Sequence, residues 1–175
     1  MSGANVTKRV FANTMKALMI KRPFAKISVG DICEACNLNR KSFYYHFKDK
    51  YDLVTWIFQS EFIDTAQQRV YDDGWDFLKS LCVYFHKNRA FYINALKVKG
   101  QNSFEEYFHE VLSPVMIAYL DYAIQNNEYS AFFVNIFVDA LIVGIEKWLE
   151  EAPFMPPEAF VGMLKQSLMS ISKRP

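Results

Sequence analysis

Residues 40–47 read Arg-Lys-Ser-Phe-Tyr-Tyr-His-Phe. Wound as a helix, Phe43 and Phe47 fall four apart on one face and point inward. Arg40, Lys41, Ser42, Tyr44, Tyr45 and His46 are left on the other side, which is cationic, aromatic and rich in hydrogen-bond donors. A helix-turn-helix that lays its second helix in the DNA major groove needs such a surface. Tyr44, Tyr45 and His46 are expected to touch backbone and bases, and Lys41 and Ser42 to reach bases; Asn39 and Arg40 belong to the same DNA-facing set. Ser28, Lys48 and Lys50 are expected to grip phosphates, which position a protein without reading sequence. Lys50 stands out among them. A cation in the first turn of a helix is mildly unfavourable because of the helix dipole, and a phosphate drawn to the same amides would offset it.

The elements that must position this surface are legible over 28–50. Ser28 with Asp31 three residues on makes a capping box for a first short helix, in which Ile32 and Ala35 supply an apolar stripe. Asn37 stands where the turn needs a positive φ, which Asn tolerates better than most residues. Leu38 is expected to be a buried plug. Asn39 is placed to cap the second helix, and Asp49 a following one.

These residues resemble the TetR family of transcriptional regulators. The resemblance is carried by Phe24, Ile27-Ser28-Val29, Asp31-Ile32, Ala35, Leu38, Phe43-Tyr44-Tyr45-His46-Phe47, Lys50 and Leu53, and covers 5–62. Three positions depart from the family pattern. Asn37 stands where Gly is usual, Cys36 where Ala is usual, and Lys41 replaces a commonly small residue, so no operator preference carries over. The stretch Phe91-Tyr92-Ile93-Asn94-Ala95-Leu96 with Gly100-Gln101-Asn102-Ser103-Phe104 is similar to the branch that includes DhaS-type regulators of dihydroxyacetone kinase operons.

Composition agrees with a DNA-binding head on a separate body. Of 20 Lys+Arg and 19 Asp+Glu in 175 residues, positions 1–50 hold 10 basic and 3 acidic residues, a balance of +7, and the remainder holds 10 and 16, a balance of −6. Apolar residues make up 51% and aromatics 17%, enough for a sizeable core. The N-terminus lacks an apolar signal region, and the most apolar run, 131–145, is too short and polar to span a bilayer. Three cysteines do not form a disulfide framework, so a reducing cytoplasm is expected.

The chain reads as all-α, with about nine helices. Thr7 is placed to cap a first helix to 21, with Phe11, Met15 and Leu18 buried, and Pro23 stops it. A fourth helix, 50–70, buries Leu53, Ile57, Phe58 and Phe62 and connects head to body. Asp72-Asp73-Gly74 breaks the chain. A fifth helix covers 75–86 with Leu78, Leu81, Cys82 and Phe85 inward. A sixth, 89–98, is capped by Asn88 and closed by Gly100. Ser103 with Glu106 opens a seventh to about 126, kinked at Pro114. An eighth spans 130–151, and the last begins at Pro157. Residues 1–50 are assigned to a three-helix DNA-binding domain and 51–175 to a helical regulatory and dimerisation domain.

The eighth helix is apolar on more than one face, which calls for burial on two sides. A second copy of the chain supplies that most economically. Phe133, Phe137, Ala140, Leu141, Gly144 and Trp148, with Phe160, Leu164 and Leu168 of the last helix, are expected at a two-fold, four-helix interface.

Other chemistry is weaker. Cys33 and Cys36 have the spacing of half a zinc site but lie within a helix of the head, where small packing residues are the better reading. Cys82 and His86 share a helical face, and a metal would need a further ligand such as His109; no metal or cofactor is expected. No phosphate loop, nucleophile elbow or paired zinc-binding histidines occur, so no enzyme is expected. In the body, Tyr84, Phe85, Tyr92, Phe108 and Tyr119 fall where the family resemblance implies a small-molecule pocket, though aromatics at such spacing also make core. The resemblance implies a repressor that binds a pseudo-palindromic double-stranded operator as a homodimer, away from membranes, and is released by a small effector. The alternative is a DhaS-like activator controlled by a protein co-activator.

Overall fold

All regular secondary structure among the described residues is helical. The computed structural model describes residues 3–124, 129–152 and 154–172, with side chains described for 4–117, 129–152 and 154–167. Helix α1 spans Gly3–Lys21. It starts before Thr7, which lies inside it. Its buried stripe is Phe11, Ala12, Met15 and Met19; Leu18, expected inside, is only half-buried because the i, i+4, i+8 row turns Met19 inward. Pro23 follows its end, and a short turn, Phe24–Lys26, leads on.

Helix α2, Val29–Ala35, opens on the expected capping box. The Asp31 amide donates to Ser28 Oγ (3.1 Å), and the Ser28 amide donates to Asp31 Oδ2 (2.7 Å). The Ser28 bonds, with Arg22 beside it (3.3 Å), hold the Asp31 carboxyl at about 2, below the ordinary range. Ile32 and Cys33 are the buried pair. Ala35 is exposed and Cys36 half-buried, since the core lies on the 32/33 side of this short helix. Asn37 has φ +54°. Leu38 is half-buried, a looser plug than expected. Helix α3, Arg40–His46, starts with the Asn39 side chain accepting from the Ser42 amide (2.8 Å). Helix α4, Lys50–Phe58, starts with Asp49 accepting from the Tyr51 and Asp52 amides (2.8 and 2.9 Å). It continues through a π-helical segment, Gln59–Ile63, to a last turn, Asp64–Ala66. The helix therefore stops short of the expected 70, and Val70 is 97% exposed.

The remaining helices are α5 (Gly74–Lys87), α6 (Arg89–Leu96), α7 (Phe104–Ile124), α8 (Ser130–Glu150) and α9 (Pro157–Ser172). Asp73 caps α5, accepting from the Asp76 amide (3.0 Å). The Asn88 side chain closes α5 by donating to Tyr84 O (3.0 Å). Gly100 (φ +111°) lies four residues beyond the end of α6. It shapes the turn into α7, where the Ser103 amide donates to its carbonyl (3.1 Å). Glu106 donates its amide to Ser103 Oγ (3.2 Å), but its carboxylate accepts from the Asn102 amide (2.6 Å), one residue earlier than a regular capping box. Helix α7 runs on through Pro114.

The chain divides into two compact units. The first comprises Met1–Thr65 and Ala90–Tyr107. Its core joins Phe11, Phe43 and Phe47, with Phe11 edge-on to both at 5.2 and 6.3 Å. Tyr92 packs on Phe58 and Phe104 (6.1 and 5.4 Å), and Asn94 Nδ2 donates to Met19 O (2.7 Å), fastening α6 to α1. The second unit comprises Ala66–Arg89 and Phe108–Pro175. There Leu78, Leu81, Cys82 and Phe85 of α5 are buried as expected, with Val138, Ile142, Ile145 and Leu149 of α8. Trp148 is buried in its own chain. It stacks on Phe160 at 4.8 Å and donates from Nε1 to Met155 O (2.8 Å). Among the described residues no helix is long and apolar enough to cross a membrane.

Asn37 gives a direct check on the turn. Asn37→Gly is expected to keep or raise stability, while Asn37→Ala should cost about 1 kcal/mol, because Ala keeps the Cβ that resists a left-handed backbone and lacks the short polar side chain with which Asn offsets it. Urea unfolding of the three proteins measures it; equal loss in both variants would remove the backbone explanation.

Candidate nucleic-acid interface

The α3 helix holds its inner face by aromatic packing and leaves its outer face to solvent. Phe43 and Phe47 are 0% and 2% exposed, and Phe47 also meets Trp56 at 5.8 Å. Tyr44 is 57% and Tyr45 81% exposed. Two large aromatic rings thus stand side by side in water on one short helix. Tyr44 leans edge-on against Phe43 (5.5 Å), and Tyr45 against His46 (4.9 Å), so the rings are steadied from below and beside. Arg40 and Lys41 are exposed, and Ser42 and His46 half-exposed. These residues therefore share one accessible face, as their spacing requires.

The flanking residues divide. Ser28 is exposed at the start of α2, with its hydroxyl engaged by Asp31. Asn39 is exposed, and its side-chain oxygen serves the α3 cap. Lys48 is exposed, its backbone amide donating to Asp52 (2.9 Å). Lys50 is half-buried at the start of α4. Its ammonium donates to Phe24 O (2.9 Å), Ile27 O (2.8 Å) and Ala25 O (3.5 Å), and lies 4.3 Å from the Phe24 ring centre. Burial lowers its pKa from the usual lysine value, with Asp31 opposing. The charge at the α4 N-terminus is thus compensated by three backbone carbonyls of the turn before α2. Lys50 braces the two ends of the helix-turn-helix.

Two cations of α1 pack onto α4 and its continuation. Lys8 sits over the Phe47 and Trp56 rings (5.6 and 5.4 Å), and Lys16 pairs with Glu61 (2.7 Å). No local spacing signals these contacts, because the partners lie far along the chain.

The residues named for a ligand pocket do not gather in one unit. Tyr92 is fully buried in the first unit; Phe85 and Phe108 are fully buried in the second, 5.2 Å apart, where Tyr84 is half-buried. The side chain of Tyr119 lies outside the described residues, as does that of Leu168. Cys33 and Cys82 are buried, and burial pushes the Cys82 thiol up to about 12. His86 stacks on Phe154 (4.2 Å), and His109 faces Asp139 (3.4 Å). Among the described residues no three His, Cys, Asp or Glu group as a metal site.

The brace can be separated from a phosphate contact. Lys50→Met is expected to destabilise the protein by about 1–3 kcal/mol, because part-buried carbonyls lose their donor. It should leave the salt dependence of DNA binding within about half a unit of slope of wild type. A drop of about 0.9, the increment for one lost phosphate contact, would show that the ammonium sits at DNA.

Comparison with known proteins agrees with this layout. A family model described as bacterial regulatory proteins, tetR family, matches residues 15–55, and one described as a transcriptional regulator C-terminal region matches 72–170. Over 104 residues the chain is 29% identical to the HTH-type dhaKLM operon transcriptional activator DhaS of Lactococcus lactis subsp. lactis (strain IL1403), covering 59% of this chain and 54% of that protein. The chain thus matches about half the length of that relative. A solved structure named as the dihydroxyacetone kinase operon activator DhaS superposes with a TM-score of 0.66 at 19% identity, across 95% of this chain and 97% of its own, a likeness of fold. The C-terminal model covers more than half of the chain and the N-terminal model the helix-turn-helix itself, and the chain belongs to the TetR family of bacterial transcriptional regulators.

Proposed function

We propose that the protein is a cytoplasmic, homodimeric regulator that lays α3 of each subunit in the major groove of a pseudo-palindromic operator. The observation that carries this reading is the pair Tyr44 and Tyr45, exposed beside Arg40 and Lys41 on a helix anchored from behind by Phe43 and Phe47. Tyr44, Tyr45 and His46 contact backbone and bases, Arg40, Lys41 and Ser42 reach base edges, and Ser28, Asn39 and Lys48 lie toward the phosphates. Lys50 holds the unit rigid from within.

Support for a dimer comes from α8. Its inner row is buried, while Phe132, Phe133, Ile136 and Val143 are 62%, 42%, 45% and 42% exposed. Ala140 is exposed beside them, and space is open around Gly144. An apolar stripe of that length on one helix suits a copy of itself. Phe137 and Leu141 of α8 and Phe160 and Leu164 of α9 are half-buried, and Trp148 serves the fold of its own subunit.

In the main reading the protein is a repressor released by a small effector that favours a body conformation with the heads out of groove register. A second reading, transcriptional activation with a protein co-activator, is favoured by the similarity to DhaS, whose name describes an activator. Deleting the gene separates them: transcription from the bound promoter rises for a repressor and falls for an activator.

Tyr44→Ala is expected to lower affinity for the DNA upstream of the protein's own gene at least tenfold in fluorescence anisotropy, with an unchanged thermal melt. Wild-type affinity would sink the assignment of this face. Ile136→Lys with Val143→Lys should shift the protein from dimer to monomer in sedimentation velocity; a persistent dimer would clear α8 of that role.

A further inference from the structure

We propose that Gly30 is a positioning residue for DNA recognition, its missing side chain forming the seat on which the Arg40 guanidinium rests. The inference rests on the DNA-binding reading of the α3 face. Gly30 lies in the first turn of α2, away from the positive-φ positions, so its backbone conformation does not ask for glycine. Helices favour alanine over glycine. The reason for glycine lies instead in what a Cβ would meet. It would stand 2.6 Å from Arg40 Nη2 and 3.5 Å from Arg40 Cζ, with Ser28 Oγ at 3.4 Å. The first distance is far inside van der Waals contact. The crowded atom is the tip of a flexible side chain, so the guanidinium would give way and α2 would keep its course.

Arg40 is the first residue of α3 and is exposed. Among the described residues no hydrogen bond or ion pair engages its guanidinium, whose five donors remain available to phosphate or a base edge. The group lies over the bare backbone of α2, in the space a Cβ at position 30 would take. A guanidinium already held between the two helices of the motif is ordered before DNA arrives, and binding then carries less side-chain ordering cost. Any side chain at position 30 would release Arg40 to other rotamers.

The test is a double-mutant cycle of wild type, Gly30→Ala, Arg40→Ala and the double variant. Binding is measured by anisotropy on a duplex selected by the wild-type protein from a random pool. Each protein is also melted, and the Arg40 Nε–H resonance is followed without DNA. Gly30→Ala is expected to melt at or above wild type and to move the Arg40 Nε–H resonance. It should bind about threefold to tenfold more weakly, with no further loss in the Arg40→Ala background. Wild-type affinity in Gly30→Ala, an unmoved Arg40 resonance, or the same loss without Arg40 would each overturn the seat. If Arg40→Ala binds as tightly as wild type, or the wild type selects no duplex, the DNA-facing reading itself fails, while the resonance still reports whether position 30 holds the guanidinium.

Discussion

A helix of seven residues does not hold itself in water, and α3 is seven residues long. Its outer face exists because its inner face is anchored. Phe43 and Phe47 are buried against Phe11, with Trp56 behind. Burying each ring contributes about 2–3 kcal/mol, against about 1 kcal/mol for the Asn39 cap. The aromatic anchor therefore outweighs the cap, and the cap fixes where the helix begins. The division leaves the other side in solvent, where Tyr44, Tyr45 and Arg40 stand exposed.

The second constraint is the junction between the helices. Asn37 turns the chain with a positive φ, Asp31 and Ser28 lock the start of α2, and Lys50 ties the start of α4 to the turn before α2. These are polar contacts among groups that would otherwise be unsatisfied, so their loss is costlier than their formation is favourable. They make the motif a rigid block, so that whatever fixes α3 fixes α2 with it.

Much of this was legible in the sequence because capping is local. Ser28, Asn39 and Asp49 each bond amides two or three residues on, and the spacing alone finds them; Asp73 caps its helix where the sequence shows only a break. The inward row of Phe43 and Phe47 follows from helical period. Lys50 shows where local reasoning stops. The helix dipole marks it as a cation needing compensation and suggests a phosphate, but the carbonyls that compensate it lie 23 to 26 residues earlier. Trp148 is a parallel case: apolar spacing puts it on an interface, whereas a loop carbonyl and Phe160, both beyond the helix end, claim it. The π-helical segment of α4 leaves no mark in the apolar pattern, since one extra residue per turn still keeps Phe58 and Phe62 inside. The seat at Gly30 is hidden because a glycine in a first helical turn reads as neutral until its neighbour is seen.

The central claim is that two anchored α3 helices read one two-fold DNA site. Hydroxyl-radical and methylation footprinting of a duplex selected by the protein tests it most directly. Two major-groove patches on one side of the duplex, related by an inverted repeat and about 34 Å or a multiple of that apart, are the expected result. A single unsymmetrical patch, or protection no different from random DNA, would contradict it.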